Sequence, residues 1–136
     1  MVIRVVDGDT IVVQVKGHPE TVRLIGVDTP ETKDPRKPVQ YFGKEASEFT
    51  ARLLNGQRVR LEIQTVPTSR DRYGRLLAFV YRESDNLLVN KEIIRQGYGH
   101  AYTKYPFDPG RMEEFRAAER SAREQKRGLW GTGHTE

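Results

Sequence analysis

Four carboxylates stand close together near the start of this chain. Asp7 and Asp9 lie in the run Asp7-Gly8-Asp9-Thr10, and Asp28 and Glu31 in Val27-Asp28-Thr29-Pro30-Glu31-Thr32. An Asp-Gly pair between β-branched runs is a strong hairpin signal, but a turn needs only one of the two aspartates. Asp9 is left without a turn role. In the second run, threonine, proline and an acidic residue read as a helix start, yet Pro35 and Pro38 forbid the helix that such a cap would serve. Asp9, Asp28 and Glu31 are therefore candidates for an all-oxygen cation site. There is no cysteine, and the three histidines (His18, His100, His134) are far apart. That excludes thiolate ligation, argues against zinc, and points to a hard cation such as calcium or magnesium.

Arginines accompany the carboxylates. Strand alternation puts Arg23 with Ile25 and Val27 on one face, and Val22, Leu24 and Gly26 on the other, just ahead of Asp28. A structural ion pair with Asp9 or Glu31 is one reading of Arg23; a phosphate contact is the other. Asp71-Arg72-Tyr73-Gly74-Arg75 is either an ordinary exposed hairpin loop or a phosphate clamp with an aromatic platform. A cation held by carboxylates, with arginines aimed at the same oxygens, suits phosphodiester hydrolysis, whose transition state gains charge on the phosphate. Glu31 is then the candidate general base for the attacking water. A non-catalytic nucleic-acid-binding barrel would not need all of these groups together. A glycosidase using paired carboxylates would explain neither the arginines nor the basic surplus.

The elements that must position these residues can be read from pattern. Ile3 to Val6, Ile11 to Val15 and Thr21 to Val27 predict strands, with turns at Asp7-Gly8 and at Lys16-Gly17-His18-Pro19. Residues 32–38 form a polar, proline-broken loop carrying Arg36 and Lys37. Phe42, Ala46, Phe49 and Leu53 recur at helical spacing, and Gly56 ends that helix. Arg58 to Gln64 and Leu76 to Tyr81 predict two further strands. Asn90 reads as the N-cap of a second helix, with Val89 and Ile94 as its hydrophobic staple. Asp108-Pro109 opens a third helix that turns Met112, Phe115, Ala118 and Ala122 inward, after which Leu129 and Trp130 fold back. The expectation is an α+β fold in which five short strands curl into a closed or nearly closed barrel with three packed α-helices.

At 136 residues, 36% hydrophobic and 31% charged, the chain is expected to form a single domain, 1–136, with a wet surface. No run approaches the roughly 18 apolar residues of a membrane span. Met1 to Val6 already reads as a strand and not as a signal peptide. The net charge is +4, and the whole surplus lies beyond residue 45. A basic body favours a polyanionic partner, although charge alone is weak evidence.

The ordered set of motifs resembles the staphylococcal nuclease (thermonuclease) family. It comprises Val6-Asp7-Gly8-Asp9-Thr10, Arg23-Leu24-Ile25-Gly26-Val27-Asp28-Thr29-Pro30-Glu31-Thr32, Gly43-Lys44-Glu45-Ala46-Ser47, Asp71-Arg72-Tyr73-Gly74-Arg75, and Val89-Asn90 through Arg95-Gln96-Gly97. The likeness runs from Val5 to about Trp130. It implies a five-stranded OB-fold β-barrel with three helices. It also implies a calcium ion held by Asp9, Asp28 and the Thr29 carbonyl, with Asp7 and Glu31 acting nearby through water. Arg23 and Arg75 would grip the scissile phosphate, and Arg72 and Tyr73 a neighbouring one. The implied activity is calcium-dependent hydrolysis of DNA and RNA, single strands readily, with little sequence specificity and 3′-phosphate ends. A monomer is expected. Frequent export in the family makes secretion an expectation, an export segment then lying ahead of Met1. Two departures stand out. The family's Ala-Tyr-x-Tyr-Lys-Pro platform reads here Ala101-Tyr102-Thr103-Lys104-Tyr105-Pro106, matching at Tyr102 and displacing the second tyrosine to Tyr105. Pro38 stands in the loop where glycine is expected.

Overall fold

The β-branched runs pair with one another in the computed structural model of the chain, which describes residues 1–30, 42–65 and 67–131. Strands β1 (Val2–Asp7) and β2 (Thr10–Val15) form an antiparallel hairpin closed at Asp7 and Thr10. β2 then turns through Lys16 and Gly17, both at positive φ, into β3 (His18–Leu24). Two consecutive left-handed residues match the right-handed twist of a tight hairpin, so this turn spans only Lys16 and Gly17. The third strand therefore starts at His18, earlier than Thr21. Pro19 is tolerated in it because β6 (Leu76–Arg82) pairs with β3 only from Val22 to Leu24, leaving the other side of Pro19 off the ladder.

The third strand also ends sooner than its β-branched content suggests. It stops at Leu24 and bends through Gly26 (φ 79°) into a short strand β4 (Val27–Asp28). A Cβ on Gly26 would come within 2.6 Å of the Phe107 ring and 2.8 Å of the Phe115 ring. Only glycine fits both the backbone and the space. The bend that carries Arg23 and Asp28 is thus pressed directly onto the core.

Helix α1 (Gly43–Leu54) forms over the predicted stretch and buries Ala46, but Thr50 and Leu54 are buried where Phe49 and Leu53 were expected, these two being half-buried, and Gly56 follows it at φ 73°. Strand β5 (Val59–Ile63) pairs antiparallel with β6, and a short β7 (Leu87–Leu88) also pairs with β6. The main strand order is β1-β2-β3-β6-β5. The expected barrel is not closed: no ladder joins the edge strands β1 and β5 among the described residues. The edges meet where the Val2 amide donates to the Gln57 carbonyl at 2.9 Å.

Helix α2 (Val89–Arg95) corrects a second expectation. Its N-cap is Leu88, no side chain caps it, and Asn90 lies within the helix with its side chain fully buried. A two-residue strand β8 (His100–Ala101) pairs antiparallel with β4, setting His100 opposite Asp28. Helix α3 (Pro109–Glu124) opens as predicted, with the Asp108 carboxylate accepting from the Arg111 amide at 2.9 Å. Phe115, Ala118 and Ala122 face inward, whereas Met112 is only half-buried. A 3₁₀ turn, Gly128–Trp130, returns Leu129 to the body, its amide donating to the Gly97 carbonyl. The core unites Ile11, Leu24, Val80, Ile93, Ile94 and Phe115. Truncating a fully buried ring such as Phe115 costs about 3–5 kcal/mol.

Candidate active site

The Asp7-Gly8-Asp9-Thr10 segment is both a hairpin turn and a site for buried charge. Asp7 and Asp9 are 8% and 7% exposed, unusual for hairpin carboxylates unless they are paired. Asp9 Oδ1 accepts from the Thr10 hydroxyl at 2.9 Å, and Oδ2 accepts from the Thr29 amide at 3.0 Å. The two segments are held in close register. A Cβ on Gly8 would lie 2.8 Å from Thr29 Cγ2, and the Thr50 hydroxyl donates to the Gly8 carbonyl at 2.7 Å. The hairpin glycine is thus needed for close approach of the Thr29 strand end.

Arg23 sits between the carboxylates. Its Nη2 lies 3.4 Å from Asp9 Oδ2 and 3.6 Å from Asp28 Oδ1. Its Nη1 donates to the carbonyls of Leu24 and Val27, each at 2.7 Å. The bend after β3 therefore folds around the guanidinium of its own strand, and Asp9, Asp28, Thr29 and Arg23 come together from three segments. The ion-pair reading of Arg23 is realised with Asp9, and the side chain also lines a cleft.

That cleft, of about 770 Å³, runs from Arg23 across the loop 67–75 to the segment 102–106. Arg75 is placed by a tight local network. Asp71 Oδ2 accepts from Arg75 Nε at 2.7 Å, while Oδ1 accepts from the amides of Tyr73 and Arg75. Burial pushes the Asp71 carboxyl up, but these bonds from Arg75 and Tyr73 outweigh it and hold the group below its ordinary value of 3.8. The Arg75 and Arg72 guanidinium carbons lie 5.3 and 5.0 Å from the Tyr73 ring centre, and Arg72 Nη2 donates to the Tyr73 hydroxyl at 2.8 Å. Tyr73 itself is 69% exposed, its ring held against two cations.

On the opposite wall Tyr102 meets Tyr105 edge-on at 6.1 Å, and Lys104 Nζ lies 5.5 Å from the Tyr105 ring centre. The displaced second tyrosine thus reaches the same cleft as Tyr102. Gln64, Lys104 and Tyr105 are lining residues that the pattern reading did not assign. Their signal was their sequence neighbourhood, one being at the end of β5 and two beside Tyr102. Glu31, Arg36 and Lys37 lie outside the described residues.

A cation site was expected from Asp9, Asp28 and Thr29. Two carboxylates from separate segments converge on one positively charged nitrogen. The donor chemistry fits a hard divalent ion. Among the described residues, no group of three or more histidine, aspartate or glutamate side chains is gathered around a single point. Further ligands would then be backbone carbonyls, hydroxyl or carboxamide oxygens, water, or groups outside those residues.

Comparison with known proteins gives consistent matches. The family described as staphylococcal nuclease homologue matches residues 21–132. The thermonuclease of Staphylococcus hyicus is 43% identical over 129 residues, spanning 95% of this chain and 73% of that protein. The thermonuclease of Staphylococcus intermedius is 42% identical over 130 residues, spanning 96% and 74%. Endonuclease YncB of Bacillus subtilis is 38% identical over 127 residues, which are 93% of this chain but 59% of that protein.

Proposed function

The chain belongs to the staphylococcal nuclease family, and from that premise we propose that it is a nuclease hydrolysing phosphodiester bonds of DNA and RNA with little sequence specificity. Residues 1–136 act as one domain and as a monomer, and the strand order β1-β2-β3-β6-β5 is that of an OB-type sheet. The observation that carries the reading is the convergence of Asp9 and Asp28 on Arg23 at the mouth of a cleft that also holds Arg75, Tyr73 and Tyr102.

Asp9, Asp28 and the Thr29 carbonyl would hold calcium, with Asp7 close by through water. When bound, a divalent ion supplies charge stabilisation to the phosphate oxygens. Arg23 Nη1 is anchored by two backbone carbonyls, and its Nη2, which lies against the two carboxylates, would turn to the scissile phosphate when those carboxylates take the cation. Arg75, tied through Nε to Asp71, keeps its terminal amino groups for the same phosphate. Glu31 takes the proton of the attacking water. The water oxygen bonds to phosphorus as the bond to the 5′ oxygen breaks, and the departing 5′ oxygen takes a proton from solvent, leaving a 3′-phosphate and a 5′-hydroxyl. Arg72 with Tyr73 holds the neighbouring phosphate, and Arg36 and Lys37 add positive charge along the path. Tyr73 and Tyr102 stack on bases, so single strands are preferred.

The test is digestion of single-stranded DNA, RNA and plasmid with calcium, with and without excess chelator. The expected result is cleavage in calcium, faster on single strands, that stops on chelation. Undiminished cleavage in excess chelator overturns the cation site. Binding without cleavage in every metal overturns the enzyme in favour of a nucleic-acid-binding module.

A further inference from the structure

Asn90 has no place in the mechanism above and does not line the cleft, yet it is fully buried and three of its hydrogen bonds reach two different parts of the fold. Its Oδ1 accepts from the Val80 amide at 2.8 Å. Its Nδ2 donates to the carbonyls of Ile25 at 2.8 Å and Ala78 at 3.2 Å. The amide orientation is fixed by its partners, because a backbone N–H can only donate and a carbonyl can only accept. Nor does it serve the helix start, which carries no side-chain cap.

The carbonyls of the bend explain why a carboxamide stands there. Leu24 and Val27 give theirs to Arg23 Nη1, and Gly26 gives its own to the Tyr102 amide at 2.8 Å. The Ile25 carbonyl turns to the interior and goes to Asn90. The Ile25 amide also donates to the Ala78 carbonyl at 3.0 Å, so β6 and Asn90 hold the backbone of Ile25 as a unit, through the peptide groups on either side of it. Arg23 takes its orientation from the residues on either side of that unit, and Asp28 follows the bend directly. A shift of the Ile25 peptide therefore moves the guanidinium and the carboxylate together.

We propose that Asn90 is a positioning residue for the phosphate site. It locks the Leu24-to-Val27 bend so that Arg23 and Asp28 keep one fixed geometry. The proposal rests on the nuclease reading of the cleft, and it makes a claim about Arg23 that can be read without activity.

The experiment compares Asn90→Ala with Leu54→Ala, a truncation in the core at α1. Melting curves give the folded fraction. Single-stranded DNA kinetics in calcium give kcat and KM, and the Arg23 Nε–H resonance is recorded in the metal-free protein. In Asn90→Ala, kcat per folded molecule should fall about tenfold to a hundredfold with KM within about threefold, the scale of a reacting group misplaced by an ångström. The Arg23 resonance should shift or broaden. Leu54→Ala should lose stability while keeping both kcat per folded molecule and the Arg23 resonance. If Asn90→Ala does not fold at the assay temperature, Asn90→Ser, which keeps one hydroxyl for the Ile25 carbonyl, is measured in its place. A variant at Asn90 with wild-type kcat per folded molecule, or with an unmoved Arg23 resonance, overturns the proposal. So does an equal loss of kcat in Leu54→Ala. An inactive wild-type protein overturns the nuclease reading instead, and the Arg23 resonance still decides whether Asn90 sets the bend.

Discussion

Arg23 and Arg75 are assigned the same task by two regions of very different construction. Arg23 lies near the end of strand β3, its side chain 16% exposed, and its partners come from a hairpin, from its own strand and from the strand end beyond. Arg75 lies at the end of a surface loop, 30% exposed, and its ion-pair partner is an aspartate four residues earlier. The first arrangement needs the whole fold and cannot be altered without disturbing it. The second is local, so it can be adjusted residue by residue with little effect on the rest. One region supplies rigidity where charge develops; the other supplies a phosphate contact that can be tuned.

Arg23→Lys tests the rigid side and carries the largest expected effect. An ammonium cannot bridge two backbone carbonyls and two carboxylates at once, because it lacks the planar fork. Turnover should fall by about a thousandfold, the upper range for losing one preorganised donor. Stability should fall by about 1–3 kcal/mol as buried carbonyls lose their partner. Urea unfolding beside single-turnover cleavage checks both, and an Arg23→Lys protein as stable as wild type would break the contrast.

Arg75→Lys should show the other half. Turnover falls by about a hundredfold, while stability stays within about 0.5 kcal/mol, as for most surface substitutions. A stability loss equal to that of Arg23→Lys would mean that the loop is also built into the fold.

These two regions also differ in how far sequence alone could describe them. The loop was readable, because Asp71, Gly74 and the arginines interact with near neighbours and the motif contains its own partners. The carboxylates and Arg23 were readable as a set of chemical types, whereas the third strand was expected to run through Gly26 to Val27 and instead breaks there. The function of Asn90 was not readable. An asparagine beside an apolar helical run is locally identical to a cap, and only the tertiary fold brings the Ile25 carbonyl to it. The barrel was over-closed for a similar reason: strand alternation fixes which faces are buried but not whether distant edges complete a ladder. Tyr105 was displaced in sequence yet reaches the cleft, because the irregular path from Tyr102 to Pro106 absorbs the difference.

Acid should open the loop. Asp71 has a folded-state carboxyl held below 3.8, so its ionised form is favoured by folding. It contributes stability that is fully present above its unfolded value and is lost as pH falls through the folded one. Hydrogen exchange of the Tyr73 and Arg75 amides, both bonded to Asp71, should be unchanged from neutral pH to about 4 once intrinsic rates are removed. Protection should disappear below that range. Asp71→Asn should lower protection at neutral pH and abolish its acid dependence. Loss of protection already at pH about 5 would remove Asp71 as the organiser of the loop.

The smallest expected effect is the most specific to the tunable side. Arg72 donates to Tyr73 and is assigned a neighbouring phosphate, not the scissile one. Arg72→Gln should therefore weaken substrate binding by only a few-fold at moderate ionic strength and leave turnover at saturation nearly unchanged. Its signature is in the salt response. Each phosphate neutralised by a cationic side chain contributes about 0.7 to the slope of log affinity against log salt for single strands. Losing Arg72 should flatten the slope by about that amount, whatever the base sequence of the probe. Affinities of an inactive Arg23→Lys background for single-stranded DNA across a salt series provide the measurement, with and without the second substitution. If the slope is unchanged while affinity falls, Arg72 acts by orienting Tyr73 for stacking and not by meeting a phosphate. The loop would then contribute one phosphate contact, Arg75, with its aromatic ring held in place by the cation beside it.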